Sequence, residues 1–119
     1  MAQLWRGEAL LDLRDVGSYG ALADRLRLRH VGTLLRLGEL RIAEGDASAA
    51  LEVAEQVIEL DPYREHAHRL VIAAHLQLDD VTGARQALDR LDAVLEEFDV
   101  TADGSTDILR RQVTSRLGG

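Results

Sequence analysis

Apolar residues return at intervals of three and four along most of this chain, and short polar breaks separate the runs. By that spacing Ala47, Ala50, Leu51, Ala54, Val57 and Ile58 share one face of a helix. Asp46 stands just ahead of it, where a carboxylate accepts hydrogen bonds from the open N–H groups of the first turn. Asp61-Pro62 is expected to stop this helix and start the next. Proline suits a first helical position, where its missing N–H costs nothing, and Asp61 suits the N-cap before it. The second helix should reach about Leu78 and bury Ala67, Leu70, Val71, Ala74 and Leu78. Beyond a break at Asp79-Asp80, a third should run from about Val81 to Phe98 and bury Ala84, Ala87, Leu88, Leu91, Val94 and Leu95.

Upstream, Ser18 is placed to open a long helix from about Tyr19 to Glu44. Leu22, Leu26, Leu34, Leu37 and Leu40 form one stripe on it, with Leu28, Val31, Leu35 and Ile42 alongside. A doubled stripe predicts packing on two sides, as in the middle of a helical stack. Gly32 and Gly38 lie inside this helix and each costs about 1 kcal/mol against alanine, so close helix approach is the expected compensation. Phe98 to Gly104 reads as a loop, after which Ser105 or Thr106 caps a closing helix carrying Ile108, Leu109, Val113 and Leu117. Strand-like alternation is missing, so the fold class is all-α. The expected layout is one domain over 1–119: an N-terminal segment 1–17, a long helix 18–44, two and a half helical hairpins over 46–98, and a closing helix 105–117.

Composition then narrows the function. At 119 residues and 46% hydrophobic content, the chain holds enough apolar mass for one core and too much for disorder. With no cysteine, a disulfide framework, a thiolate metal site and a cysteine nucleophile are excluded. The longest apolar stretch, Leu70 to Ala74, falls far short of the roughly 20 residues that span a bilayer. The first residues lack the basic head and apolar run of a secretory signal, so the expected location is cytoplasmic. Fourteen basic residues, all arginine, against 21 acidic ones give a net charge of −7, which a phosphate backbone repels.

Gly45-Asp46 and Asp79-Asp80 are 34 residues apart, as are Ala50 and Ala84, Val57 and Leu91, and Leu60 and Val94. That is the period of the tetratricopeptide helix-turn-helix repeat. Leu37-Gly38, Gly45-Asp46, Ala50 and Pro62 fall where that repeat places its Leu-Gly pair, turn, small residue and closing proline, while the second copy keeps Ala84 but not the rest. Gly38 and Ala50 would let the two helices of the first pair touch closely.

A narrower likeness rests on four pieces: Leu4-Trp5-Arg6-Gly7-Glu8-Ala9-Leu10-Leu11, Arg25 to Arg29, Gly45-Asp46, and Asp61-Pro62-Tyr63-Arg64-Glu65. Together they resemble the bacterial transcriptional activation domain, the tetratricopeptide-like regulatory region of antibiotic-pathway-type activators. The resemblance implies a tetratricopeptide-like stack of about five helices and a non-catalytic module that binds protein and regulates transcription. It also implies a further helical pair before the Trp-Arg-Gly segment and a winged-helix DNA-binding head upstream. Only four residues precede Trp5, so the chain is expected to be a fragment or a stand-alone relative, its long helix covered by residues 1–13 or by a second copy. Trp5 itself is expected to plug between the N-terminal segment and the long helix. A stand-alone adaptor or oligomerisation domain unrelated to transcription shares the fold and is the alternative.

In such a stack the exposed side of the first helices forms a groove for a peptide or partner helix. The register assigns Leu35, Glu39, Ile42, His66, Arg69, Ala73 and Gln77 to that groove, with Leu35, Ile42 and Ala73 fitting equally as plain core. The partner is expected to be protein: the chain's own dimer mate, another domain or the transcription machinery. No membrane contact is expected.

Other chemistry finds little support. His66 and His68, two apart, point to different sides of a helix, and His75 lies two turns from His68, roughly 10 Å away and too far to share an ion. The histidines are therefore expected to be solvated or capping groups, and neither a metal nor a cofactor is expected. Ser18, Ser48, Ser105 and Ser115 sit at caps or surfaces rather than beside a base, and Gly17-Ser18-Tyr19-Gly20 lacks the lysine of a phosphate loop, so no catalytic residue is assigned. Arg25, Arg29 and Arg36 line one helical face, but Asp24 and Glu39 interrupt it. A solvated face with intrahelical ion pairs accounts for them better than DNA contact, so no direct nucleic-acid binding is expected of this chain.

Overall fold

The computed structural model describes the backbone of residues 16–118 and the side chains of residues 21–118. Those residues form five helices and no strand: α1 (Val16–Ala43), α2 (Ala47–Leu60), α3 (Glu65–Gln77), α4 (Val81–Glu97) and α5 (Gly104–Gly118). The fold is an all-α helical stack. Helix α1 begins at Val16, which puts Ser18 inside it rather than at its cap. The expected roles of Trp5 and of residues 1–13 fall outside the described residues.

Residues up to 32 and from 33 onward form separate units. In the first, Leu26 and Leu28 are exposed and Arg27 pairs with Asp24 at 2.9 Å along the helix. In the second, Leu34 and Leu35 are buried while Leu40 is exposed. The later part of α1 buries Val31, Leu34, Leu35 and Gly38, which share one face.

Two of the connectors are closed by one hydrogen-bond pattern. Helix α1 closes on Gly45 and α3 on Asp79, both in the left-handed region, at φ 80° and 61°. After α1, Gly45 N–H donates to the Ile42 carbonyl (3.0 Å) and Asp46 N–H to the Arg41 carbonyl (2.8 Å). After α3, Asp79 N–H donates to Leu76 (3.0 Å) and Asp80 N–H to His75 (2.7 Å). These are the paired bonds of a Schellman motif, which satisfy carbonyls left open at a helix end. The Asp46 carboxylate then accepts from Ala49 N–H at 3.3 Å, and that of Asp80 from Gly83 N–H at 2.9 Å. One residue thus closes one helix and caps the next.

The α2–α3 connection is built differently from the sequence expectation. Asp61 is the C-cap of α2, and α3 starts only at Glu65. Arg64 N–H donates to the Asp61 carbonyl at 3.1 Å, and the Asp61 carboxylate accepts from Tyr63 N–H at 3.3 Å and Arg64 Nε at 3.2 Å. The aspartate spends its acceptors on a β-turn with Pro62 at its second position, so Pro62 does not enter the helix.

Small residues bring the helices together. Ala50, Ala54, Ala67, Ala74 and Ala84 have no exposed surface, and Val57, Ile72 and Leu91 fill the space between them. Helix α3 lies against α2 and α4, and α5 packs on α3 and α4. A Cβ on Gly38 would stand 2.8 Å from Leu70 Cδ1 and 3.7 Å from Val53 Cγ1, so the close approach at this glycine reaches α3 first and α2 second. At Gly32 a Cβ would meet nothing within 4 Å among the described residues. Leu78 ends up exposed because it is the C-cap of α3 rather than part of its packed face.

Helix α5 is fastened at its start by α3. Glu65 Oε2 accepts from Asp103 N–H at 2.8 Å and from the Thr106 hydroxyl at 2.6 Å. The cap is Asp103, whose carboxylate accepts from Ser105 N–H at 2.9 Å. Thr106, one of the two expected caps, is instead wholly buried. That N–H bond also holds the exposed Asp103 carboxyl below its ordinary range. Further along, Arg110 grips Asp92 of α4 with two bonds of 2.8 Å, which hold its guanidinium more firmly protonated.

Candidate functional site

Helices α1, α3 and α5 enclose a cleft of about 360 Å³, lined by Glu39, His66, Arg69, Leu70, Ala73, Ser105, Ile108, Leu109 and Gln112. Four of the seven residues assigned to the groove from sequence line it: Glu39, His66, Arg69 and Ala73. The other three do not. Leu35 is buried, Ile42 packs half-buried against the Ala47, Ala50 and Ala74 cluster, and Gln77 donates from Nε2 to the Ile42 carbonyl at 2.9 Å.

The polar rim is organised in pairs. His66 Nε2 lies 2.7 Å from Glu39 Oε2, tying α3 to α1 across the cleft. Arg69 Nη1 stands 3.7 Å from Glu65 Oε2, the same oxygen that holds the start of α5. Leu70, Ala73, Ile108 and Leu109 supply the apolar floor and far wall, and Ile108 is half exposed there. Such a surface offers an apolar trough with a charge of each sign at one edge.

Sequence reasoning missed the α5 wall. Ser105, Ile108, Leu109 and Gln112 do carry a signal, since intervals of three, one and three put them on one helical face. Nothing in that spacing says the face looks toward α3, which depends on the Glu65 clamp.

His68 departs from the solvated role expected of the histidines. It is 1% exposed, with Nε2 2.8 Å from the Pro62 carbonyl and Nδ1 without a partner. Burial pushes its pKa down, so the neutral ring donating from Nε2 is the stable form. His75 Nδ1 lies 3.2 Å from Asp80 Oδ2, without the alignment of a hydrogen bond. Among the described residues no three His, Asp or Glu side chains converge as metal ligands, and no helix is long and apolar enough to cross a membrane.

Among the described residues, five helices joined by short connectors of three to six residues define an all-α helical-stack module. The family model of the bacterial transcriptional activator domain matches residues 2–114, and the chain belongs to that family. No curated protein and no solved structure matches it.

Proposed function

We propose that the chain is the non-catalytic, protein-binding module of a bacterial transcription regulator, a tetratricopeptide-like stack acting in the cytoplasm. The α1–α3–α5 cleft takes an extended or helical segment of a partner protein: the chain's own dimer mate, another domain of an intact regulator, or the transcription machinery. DNA contact comes from elsewhere in such a regulator. The observation carrying this reading is the convergence of Glu39, His66, Arg69 and Ala73 on one cleft with an apolar floor. Family membership favours regulation of transcription over an unrelated adaptor.

Affinity capture with purified RNA polymerase, and with a differently tagged copy of the chain, tests the reading. Glu39→Arg and Arg69→Glu, which reverse the rim charges, should each reduce capture of the true partner by about tenfold or more. Equal capture by both variants and the parent chain would reject the cleft as the binding surface.

A further inference from the structure

A second apolar surface lies at the end of the stack where α2 turns into α3 and α4 runs out. Tyr63, Glu65, Val94, Leu95, Phe98 and Val100 line a shallow cleft there of about 540 Å³, sharing no residue with the α1–α3–α5 cleft. Tyr63 and Phe98 meet edge to face, with ring centroids 4.7 Å apart and planes at 77°. Both rings are about half exposed, as is Val100. The backbone holds this arrangement in place. Asp99 adopts φ 53°, Asp99 N–H donates to the Glu96 carbonyl (3.1 Å), and Val100 N–H donates to the Leu95 carbonyl (2.9 Å). That Schellman closure sets Val100 and Leu95 side by side as one wall. The Asp61–Arg64 turn holds Tyr63 on the other.

Charge selects the occupant. Glu96, Glu97 and Asp99 flank Phe98 and are exposed. The one arginine in these two turns, Arg64, is tied to Asp61 at 3.2 Å. An apolar floor with an acidic rim repels nucleic acid and anionic lipid, and it disfavours a second copy of a chain carrying −7. A small molecule is a poor fit, because a cleft whose walls remain half exposed cannot enclose most of a ligand. We infer that the Tyr63–Phe98 face docks a basic amphipathic segment of a partner protein, one large apolar side chain entering between Phe98 and Val100 while lysines or arginines face Glu96, Glu97 and Asp99.

The probe is a synthetic helical peptide with leucine along one face and lysine elsewhere, set against the same peptide with glutamate in place of lysine. Fluorescence anisotropy with the full chain should show the lysine peptide binding at least about tenfold more tightly. Phe98→Ser leaves the net charge untouched and should weaken that binding by about tenfold, whereas Ala73→Arg in the other cleft should not. Should Phe98→Ser misfold by circular dichroism, the exposed pair Glu96→Gln/Glu97→Gln carries the test and should weaken binding several-fold. Equal affinity for both peptides, indifference to Phe98→Ser in a folded chain, or self-association abolished by Phe98→Ser would overturn the assignment. Because Ala73→Arg reports only on the α1–α3–α5 cleft, failure of either site is distinguishable from failure of the other.

Discussion

Asp46 and Asp80 perform the same two tasks 34 residues apart: each donates its N–H to the helix behind it and turns its carboxylate to the helix ahead. The α1–α2 and α3–α4 connectors are thus closed and capped in the same way, while α2–α3 uses the Asp61–Arg64 turn.

Backbone strain at the connectors is unequal. Gly45 reaches its positive φ freely, so Gly45→Ala should cost about 1 kcal/mol. Asp99 holds a similar conformation with a side chain, and Asp99→Gly should stabilise by roughly 0.5 kcal/mol. Urea midpoints of the two variants should move in opposite directions.

Gly83 should reverse the usual helix rule. A Cβ there would collide with Asp80 Oδ2 and stand 2.7 Å from His75 Nδ1. Gly83→Ala should therefore break the cap and destabilise by about 1–2 kcal/mol, despite alanine's better helix propensity. Gly32→Ala, with no described atom within 4 Å of the added Cβ, should gain up to about 1 kcal/mol. Thermal melts of the two variants check the contrast.

Helix α5 depends on a hydroxyl. Thr106→Val keeps the shape but removes the donor to Glu65, and should cost about 1–3 kcal/mol, with Thr106→Ser recovering most of it. Amide exchange should show α5 opening earlier than α3 in the valine variant. Equal protection in variant and parent would refute the clamp.

The pH dependence follows from His68. Its folded pKa is lowered from 6.5, so below that value the unfolded chain takes up a proton that the native ring refuses. Its contribution to stability is therefore intact above pH 6.5 and erodes as pH falls from there toward the depressed folded value. Urea unfolding at pH 7.5 and 5.0 should show a smaller acid loss in His68→Gln than in the parent chain.

Periodicity and breaks made the helices and the 34-residue period legible, because Gly45-Asp46 and Asp79-Asp80 are local signals with local causes. Pro62 was misleading for an equally local reason: Asp61 can cap a helix or build a turn, and here it builds the turn. The α1–α3–α5 cleft was half legible as a set of lining residues. Glu39, His66, Arg69 and Ala73 follow from helical register, but the α5 wall depends on a Glu65–Thr106 bond spanning 41 residues. No spacing rule encodes a bond of that reach. The burial of His68 was likewise hidden, since its partner is a backbone carbonyl in the Pro62 turn.

Photo-crosslinking in cells from a benzophenone side chain introduced at Ala73 tests the central claim most directly, with the same group at exposed Glu52 as reference. A discrete polypeptide adduct from position 73, reduced by Arg69→Glu and missing from position 52, is the expected result. No adduct from position 73, or equal adducts from both positions, would contradict a partner held in the α1–α3–α5 cleft.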